Sequence, residues 1–416
     1  GADGTDLQSR GAEVSCEVDG APGGNDMPGR LLFKTTADGN SSTTTRLTIN
    51  QAGNSNFTGI VTATQFVPSS DSVTLGGVRN MVINGDFQVD QRNSGAELSI
   101  TSNSKFSADR WTCNNDGFTY YKTQRKDDAS IADIGTSYYM RVTVTSPVTL
   151  GGSASQVLEN NLEGNTCKQL NLGTSAAKQC TISFFVRSSL TGLFGGALQN
   201  VNYDRCHPFS YTINSADTWE YKTFTFTTTG FTTGSFNTGN GVGLRLAFSL
   251  GNGTNRRGST DQWHTTTKMG PTGETNLVAT NGATLDIAKV QLEVGTQATP
   301  FEDISYADQL RRCQRYFWKI DDGKFRRPGY KRHDSNTYFH FEAPVPMRTE
   351  PSVTMTDGGI FTNYQSQYGS TQTSAAITEW QVDIGKGLVY VSSNYAGTHE
   401  FIPSWEGYQL QFSAEL

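Results

Sequence analysis

Charge is scarce in this chain. Lys and Arg number 33 and Asp and Glu 39 among 416 residues, so only 17% are charged, against about a quarter in an average globular protein. Disorder of the high-charge kind is thereby excluded. The formal balance is -6, which argues against a general nucleic-acid binder. No apolar run approaches the ~20 residues a membrane-spanning helix needs, and we expect no membrane insertion. Cysteine is thin as well. Cys16, Cys113, Cys167, Cys180, Cys206 and Cys313 are scattered, without the CxxC or Cys/His spacing of a zinc site. They read as unpaired thiols of a reducing compartment. The opening GADGTD carries neither Met nor a secretory pattern, and it reads as the start of a fragment or processed product.

Catalytic signatures are missing too. There is no GxSxG, and His207, His264, His333, His340 and His399 are scattered. GNGVG at 239–243 and GNGTNRRG at 251–258 precede no helix. They are hairpin loops rather than phosphate cradles. A glycosidase needs two carboxyls about 5 Å or roughly 6.5–9.5 Å apart. Glu159 and Glu163 flank what reads as a polar turn, ENNLEG, and the adjacent Asp321 and Asp322 would point apart in a strand. We expect no enzyme.

What the sequence does have is 44 Gly, much Thr, Ser and Asn, and 11% aromatics. That composition suits extended structure with one wet face. The fold class read from it is all-β: an N-terminal oligomeric β stem, a central jelly-roll sandwich, one connecting helix and a C-terminal β-domain. Residues 1–76 form the stem, where Leu31 and Phe33 alternate, as do Leu47 and Ile49. So few large apolar residues make a poor core, and a small domain buries only about 60% of its unfolded surface anyway. The stem is therefore expected to borrow contact from copies of itself, most simply in a homotrimer.

After a linker at 69–79, residues 80–301 read as dense strands of one sandwich. In QCTISFFVRSS, Ile182, Phe184 and Val186 face one way and Ser183, Phe185 and Arg187 the other. Residues 302–320 read as a connecting helix with Ser305 as its N-cap and Asp308 three residues on. Tyr306, Leu310, Cys313 and Phe317 form its apolar stripe, and Arg311, Arg312 and Arg315 lie off it. The local charge over 305–332 is positive, but the stripe makes the segment a joint rather than a nucleic-acid patch. Residues 321–416 read as a C-terminal β-sandwich-like tip. Trp111 in ADRW reads as core, with Asp109 and Arg110 as a surface ion pair.

Three stretches together, NMVINGDFQVDQRN with ADRW, ISFFVRSS with WEYKTFTF, and KVQLEVGTQATPFEDISYADQLRRCQRYF, resemble the jelly-roll module of bacteriophage tail fibres and related virion appendages. That module is similar in fold to carbohydrate-binding jelly rolls. GRLLFKTTADGNSSTTTRLTINQAGN resembles strand repeats of phage fibre stems, and APVPMRTEPSVT with QFSAEL is similar to the block that follows the module. The resemblance implies a trimeric virion structural protein that adheres to the host surface, assembled in the host cytoplasm beside other phage tail proteins. It implies no catalytic residues.

Carbohydrate-binding jelly rolls often hold a structural calcium, which makes Asp86 and Asp286 candidate ligands, although Ala288 and Lys289 stand where an acidic pair would help. No other cofactor is expected. For a receptor glycan, the loop aromatics Tyr203, Trp263, Tyr364, Tyr368, Trp405 and Tyr408 are the candidate platforms. A decorating protein without receptor binding and a glycan depolymerase are the alternatives.

Overall fold

The computed structural model describes residues 10–59, 79–101, 105–115, 120–228, 234–320, 342–354 and 410–416 with their side chains, and the strand backbones between 325 and 407. Nearly all regular structure is antiparallel sheet, with few and short helices. Two compact units emerge, Gly1–Val67 and Pro68–Leu416.

The first unit is a four-stranded meander of Ala12–Val18, Gly29–Thr35, Thr44–Ile49 and Ser55–Phe57. Register sorts its side chains sharply. Val14, Phe33, Leu47 and Phe57 lie in one cross-strand row, and Cys16, Leu31 and Ile49 in the next. Successive side chains alternate across a strand, so these residues share a face. The opposite face carries Glu13 bonded to Lys34 at 3.2 Å and Glu17 to Arg30 at 2.7 Å. The apolar face has no second layer among the described residues of this unit. Val14 is 63% exposed and Phe57 50%.

The second unit is built on two six-stranded sheets. The front sheet runs Cys206–Ile213, Gly192–Gln199, Val242–Asn252, Ser155–Glu163, Trp111–Asn114 and Lys105–Ala108. The back sheet runs Glu220–Phe226, Cys180–Ser188, Thr284–Val294, Tyr138–Val144, Tyr121–Asp127 and Leu98–Ser99. Ile182, Phe184 and Val186 point into the core between them, as the alternation predicts. The Phe184 ring meets Phe248 and Tyr211 edge-on, each at 5.0 Å between centroids. Trp111 is fully buried against Phe87 at 4.8 Å, and its indole N–H donates to the Asn84 carbonyl at 2.8 Å.

The segment before the first sandwich strands is a buried arm. Met81 N–H donates to Leu292 O at 2.9 Å, and Val290 N–H to Gly85 O at 2.8 Å, which fastens the arm to the last strand of the sandwich. A Cβ on Gly85 would stand 2.0 Å from the Val290 carbonyl oxygen, so only glycine fits there. Asn84 is a strut: its amide donates to Val89 O and Asp109 O at 2.8 and 2.9 Å.

The connecting helix is shorter than the sequence suggested. It spans Tyr306–Gln314, and Ser305 caps it by accepting from Asp308 N–H at 3.2 Å. Phe317 opens the strand Phe317–Ile320 instead of closing the stripe. Tyr306 is 55% exposed, while Gln309 and Cys313 are the buried pair one turn apart. The expected stripe holds in part: Cys313 and Phe317 are buried and Leu310 half-buried, but Tyr306 is exposed and Gln309 is buried in its place. Phe317–Ile320 pairs with Leu410–Ser413, which pairs with Ser352–Met355, and this small sheet docks on the sandwich. Seven strands between Phe325 and Gly407 form a further sheet.

Asp109 and Arg110 are not a surface ion pair. Both are buried, because the small sheet covers them. Asp109 accepts from Gln91 Nε2 at 2.7 Å, and Arg110 pairs with Glu415 beneath the Tyr316 ring, 3.7 Å from its centroid. Arg92 lies between the rings of Phe106 (4.1 Å) and Phe317 (3.5 Å) and reaches Glu415 at 3.2 Å. Glu163 accepts from Arg315 Nε at 3.0 Å, Arg315 Nη2 at 2.8 Å and the Tyr316 hydroxyl at 2.5 Å. These bonds outweigh burial and hold its carboxyl down to about 2. All six cysteines are free; Cys16 is exposed and the other five are buried.

Two outcomes follow from this packing. Arg110→Met removes one of the two cations that meet buried Glu415, leaving Arg92, and is expected to lower stability by about 1–3 kcal/mol. Equilibrium urea unfolding measures it, and an unchanged midpoint would contradict the buried joint. The second concerns His207, which burial pushes down to about 4 from an ordinary value near 6.5. Between those values the unfolded chain binds a proton that the folded chain refuses. His207 therefore contributes fully above pH 6.5, and its contribution is lost as pH falls toward 4. His207→Gln should flatten the melting temperature against pH across that window; an identical slope in variant and wild type contradicts it.

Candidate functional site

The outer face of the front sheet carries an unusual concentration of polar groups. On the strand Ser155–Glu163, Leu158 and Leu162 enter the core, which turns Val157, Glu159, Asn161 and Glu163 outward. The ENNLEG stretch is thus strand rather than turn, and its outward polar residues are buried because other segments cover them. Glu159 lies opposite Thr112 on one side and Ala247 on the other. Asn114 Nδ2 donates to Glu159 Oε1 at 3.2 Å, and Arg245 Nη1 stands 3.6 Å away. Glu159 Oε2 has no hydrogen-bond partner among the described residues. Burial pushes this carboxyl above its usual range.

Next to Asn114, the partner of Glu159, lies a recess of about 330 Å³ lined by Tyr203, Asn114, Ser155, Thr267, Arg256 and Met269 among others. Tyr203 is held there by a tight turn. Its φ is +57°, and Asn200 Oδ1 accepts the N–H groups of Asp204 and Arg205, each at 3.1 Å. The Arg245 guanidinium lies 5.0 Å over one face of the Tyr203 ring. The recess therefore offers a ring, two kinds of amide and hydroxyl, and a guanidinium. Such a set matches a small polar ligand with apolar faces.

Of the six aromatic platforms expected from sequence, Tyr203 lines this recess. Trp263 does not, and the expectation for it is corrected. It is 9% exposed, meets His207 edge-on at 5.2 Å and donates its indole N–H to Thr227 O at 3.0 Å. Its ring is spent on the core. Tyr364, Tyr368 and Tyr408 lie outside the described residues, as do Asp321 and Asp322. Trp405 falls in the strand Pro403–Gly407, of which the backbone alone is described.

Neither calcium candidate is free for a cation. Asp286 accepts from Arg141 Nε and Nη2 at 2.7 Å each and from Arg187 Nε at 2.8 Å. Two guanidiniums repel a divalent ion from that carboxylate, which corrects the expectation for Asp286. Asp86 bonds the Gln88 side chain, and burial raises its carboxyl. Among the described residues, no three His, Cys, Asp or Glu side chains group as a metal site. Glu159 and Glu163 do not form a hydrolytic pair. Four residues of strand separate them by about 13 Å, and Glu163 is held by Arg315 and Tyr316.

Sequence reasoning did not single out Asn114, Ser155, Arg245 or Arg256, since nothing local marks a polar strand residue as facing a recess. It also passed over a pair on the outer face of the back sheet. Phe185 and Tyr221 stand 5.1 Å apart, and Tyr221 is 50% exposed. With Pro300, Phe301 and Lys289 they line a groove of about 280 Å³.

No family model matches this sequence, and no curated protein matches it. Among solved structures, the chain is similar to the enzymatically active domain of tailspike protein 4 of bacteriophage CBA120, at 11% identity and a TM-score of 0.29, over 52% of this chain and 21% of that one. It is similar to the family 11 carbohydrate-binding module of a Clostridium thermocellum cellulosomal cellulase, at 12% identity and a TM-score of 0.24, over 50% of this chain and 99% of that one. It is also similar to a carbohydrate-binding module solved with β-1,4-galactotriose, at 13% identity and a TM-score of 0.25, over 52% of this chain and 99% of that one.

Proposed function

We propose that this chain is a phage virion appendage, a tail fibre protein that adheres to the host surface by binding a glycan. The observation that carries the binding half is the Tyr203 recess. A half-buried ring beside Asn114, Ser155 and Arg256 pairs an apolar stacking surface with hydrogen-bonding groups, as a sugar requires. The open face of the ring takes the sugar, because Arg245 covers the other. Asn114, which lines the recess, is held in place by its bond to buried Glu159 at 3.2 Å. The fibre half rests on the sequence resemblance and on the N-terminal sheet.

We read the role as binding rather than hydrolysis, because Glu163 is held in an ion pair by Arg315 and lies four strand residues from Glu159. The N-terminal sheet carries an apolar row, Val14, Phe33, Leu47 and Phe57, that only another layer can bury. Matching sheets of further copies supply that layer, and a trimer closes it about an axis. In this reading the protein resides in the virion tail, beside other tail proteins.

Two measurements test this. Tyr203→Ala should weaken binding on a host-glycan array by about 2 kcal/mol, roughly thirtyfold. Loss through Tyr221→Ala with Tyr203→Ala unaffected would move the site to the back sheet. Phe33→Asp should convert a trimer to monomer in sedimentation velocity, and a wild-type chain that sediments as a monomer at every concentration ends the fibre reading.

A further inference from the structure

The three arginines of the 306–314 helix and its end have different fates. Arg315 is spent on Glu163, and Arg311 pairs with Asp308 at 3.5 Å on the exposed helix surface. Arg312 makes no ion pair among the described residues and lines a groove between the helix and the sandwich. The groove measures about 570 Å³, larger than the Tyr203 recess. A second cation stands on it from the sandwich side: Lys168, exposed, in the turn Lys168–Leu170, and likewise without an ion pair among the described residues.

The rest of the lining suits a sugar chain. Half-buried Ile83 gives an apolar contact, with buried Met81 and Tyr316 behind it, and Asn165, Thr166 and Gln169 give amides and a hydroxyl. The acid in the groove is already answered. Glu163 accepts from Arg315, Tyr316 and, at 2.9 Å, Asn165, so its charge is cancelled within the wall. Lys168 and Arg312 are left over, which gives the groove a net positive charge inside a chain of formal charge -6.

We propose that this groove binds an acidic polysaccharide, with Lys168 and Arg312 receiving the carboxylates of its uronate residues and the half-buried Ile83 lying against a sugar ring. Guanidinium and ammonium groups recognise carboxylate through charge-assisted hydrogen bonds. A cleft between two packed elements is a common place for a ligand. The inference shares with the proposed function the premise that the partner is a glycan, but the site is a separate one.

Affinity electrophoresis of the full chain, in gels containing polygalacturonate, alginate or hyaluronan, tests it. Retardation is expected in at least one, and Lys168→Gln with Arg312→Gln should weaken it about tenfold or more. The single Lys168→Gln variant, at an exposed position, should give part of that loss with an unchanged melting temperature. Fully methyl-esterified pectin, which keeps the polygalacturonate backbone but not its charge, should retard the chain about tenfold less. Tyr203→Ala should leave the acidic-polymer retardation intact, which separates failure of the recess from failure of the groove. The proposal is overturned by no retardation in any of the three polymers, by equal retardation of the double variant, by equal binding of the methyl ester, or by retardation with single-stranded DNA alone.

Discussion

Arg110 is a guanidinium with 2% exposure, and its charge is met by Glu415, some three hundred residues away in the chain. A buried cation without its anion is among the most destabilising defects a fold can carry. The sandwich therefore reaches its full stability only when the strand Leu410–Ser413 and the residues after it are in place. Arg92, stacked between Phe106 and Phe317 and reaching the same carboxylate, binds the two parts by a second route. Glu163, Arg315 and Tyr316 add a third. The sandwich, the helix and the small sheet are for this reason one cooperative body rather than beads on a string.

That constraint also shapes what the sandwich leaves exposed. The small sheet covers the front sheet around Arg110 and Asn161. The loop through Trp263 covers another part, where Pro271 would lie 2.7 Å from a Cβ on Gly195, while a Cβ on Gly196 would meet the Phe209 ring at 2.8 Å. Among the described residues, the Tyr203 recess on one side and the helix groove on another stay open. Both are gaps left between layers, and in both the polar groups were placed by packing that also holds the fold.

Much of this was legible in the sequence. Alternation located the inward residues Ile182, Phe184 and Val186, because a period of two has one solution when one face is buried. The Ser305 cap was legible because capping is local. The apolar row of the N-terminal sheet could be seen in Leu31, Phe33, Leu47 and Ile49. What escaped was set by long-range covering. Asp109, Arg110 and Glu159 look like surface residues until a distant segment lands on them. Trp263 looks like a loop aromatic until the loop folds back on His207. Tyr306 and Gln309 exchange roles because the partner surface, not the helix's own period, decides which side is dry.

The distribution of thiols has a chemical consequence. Five cysteines sit in the interior, where burial pushes Cys113 up to about 12 and Cys206 to about 11. Only thiolates react readily with alkylating reagents. Cys16 alone is exposed, and it stands in the apolar row beside Leu31 and Ile49. The native chain thus carries a single alkylation handle, in the middle of the sheet face that most needs a cover. A fluorophore attached there would sense the polarity of whatever lies against that face, without any residue having been changed.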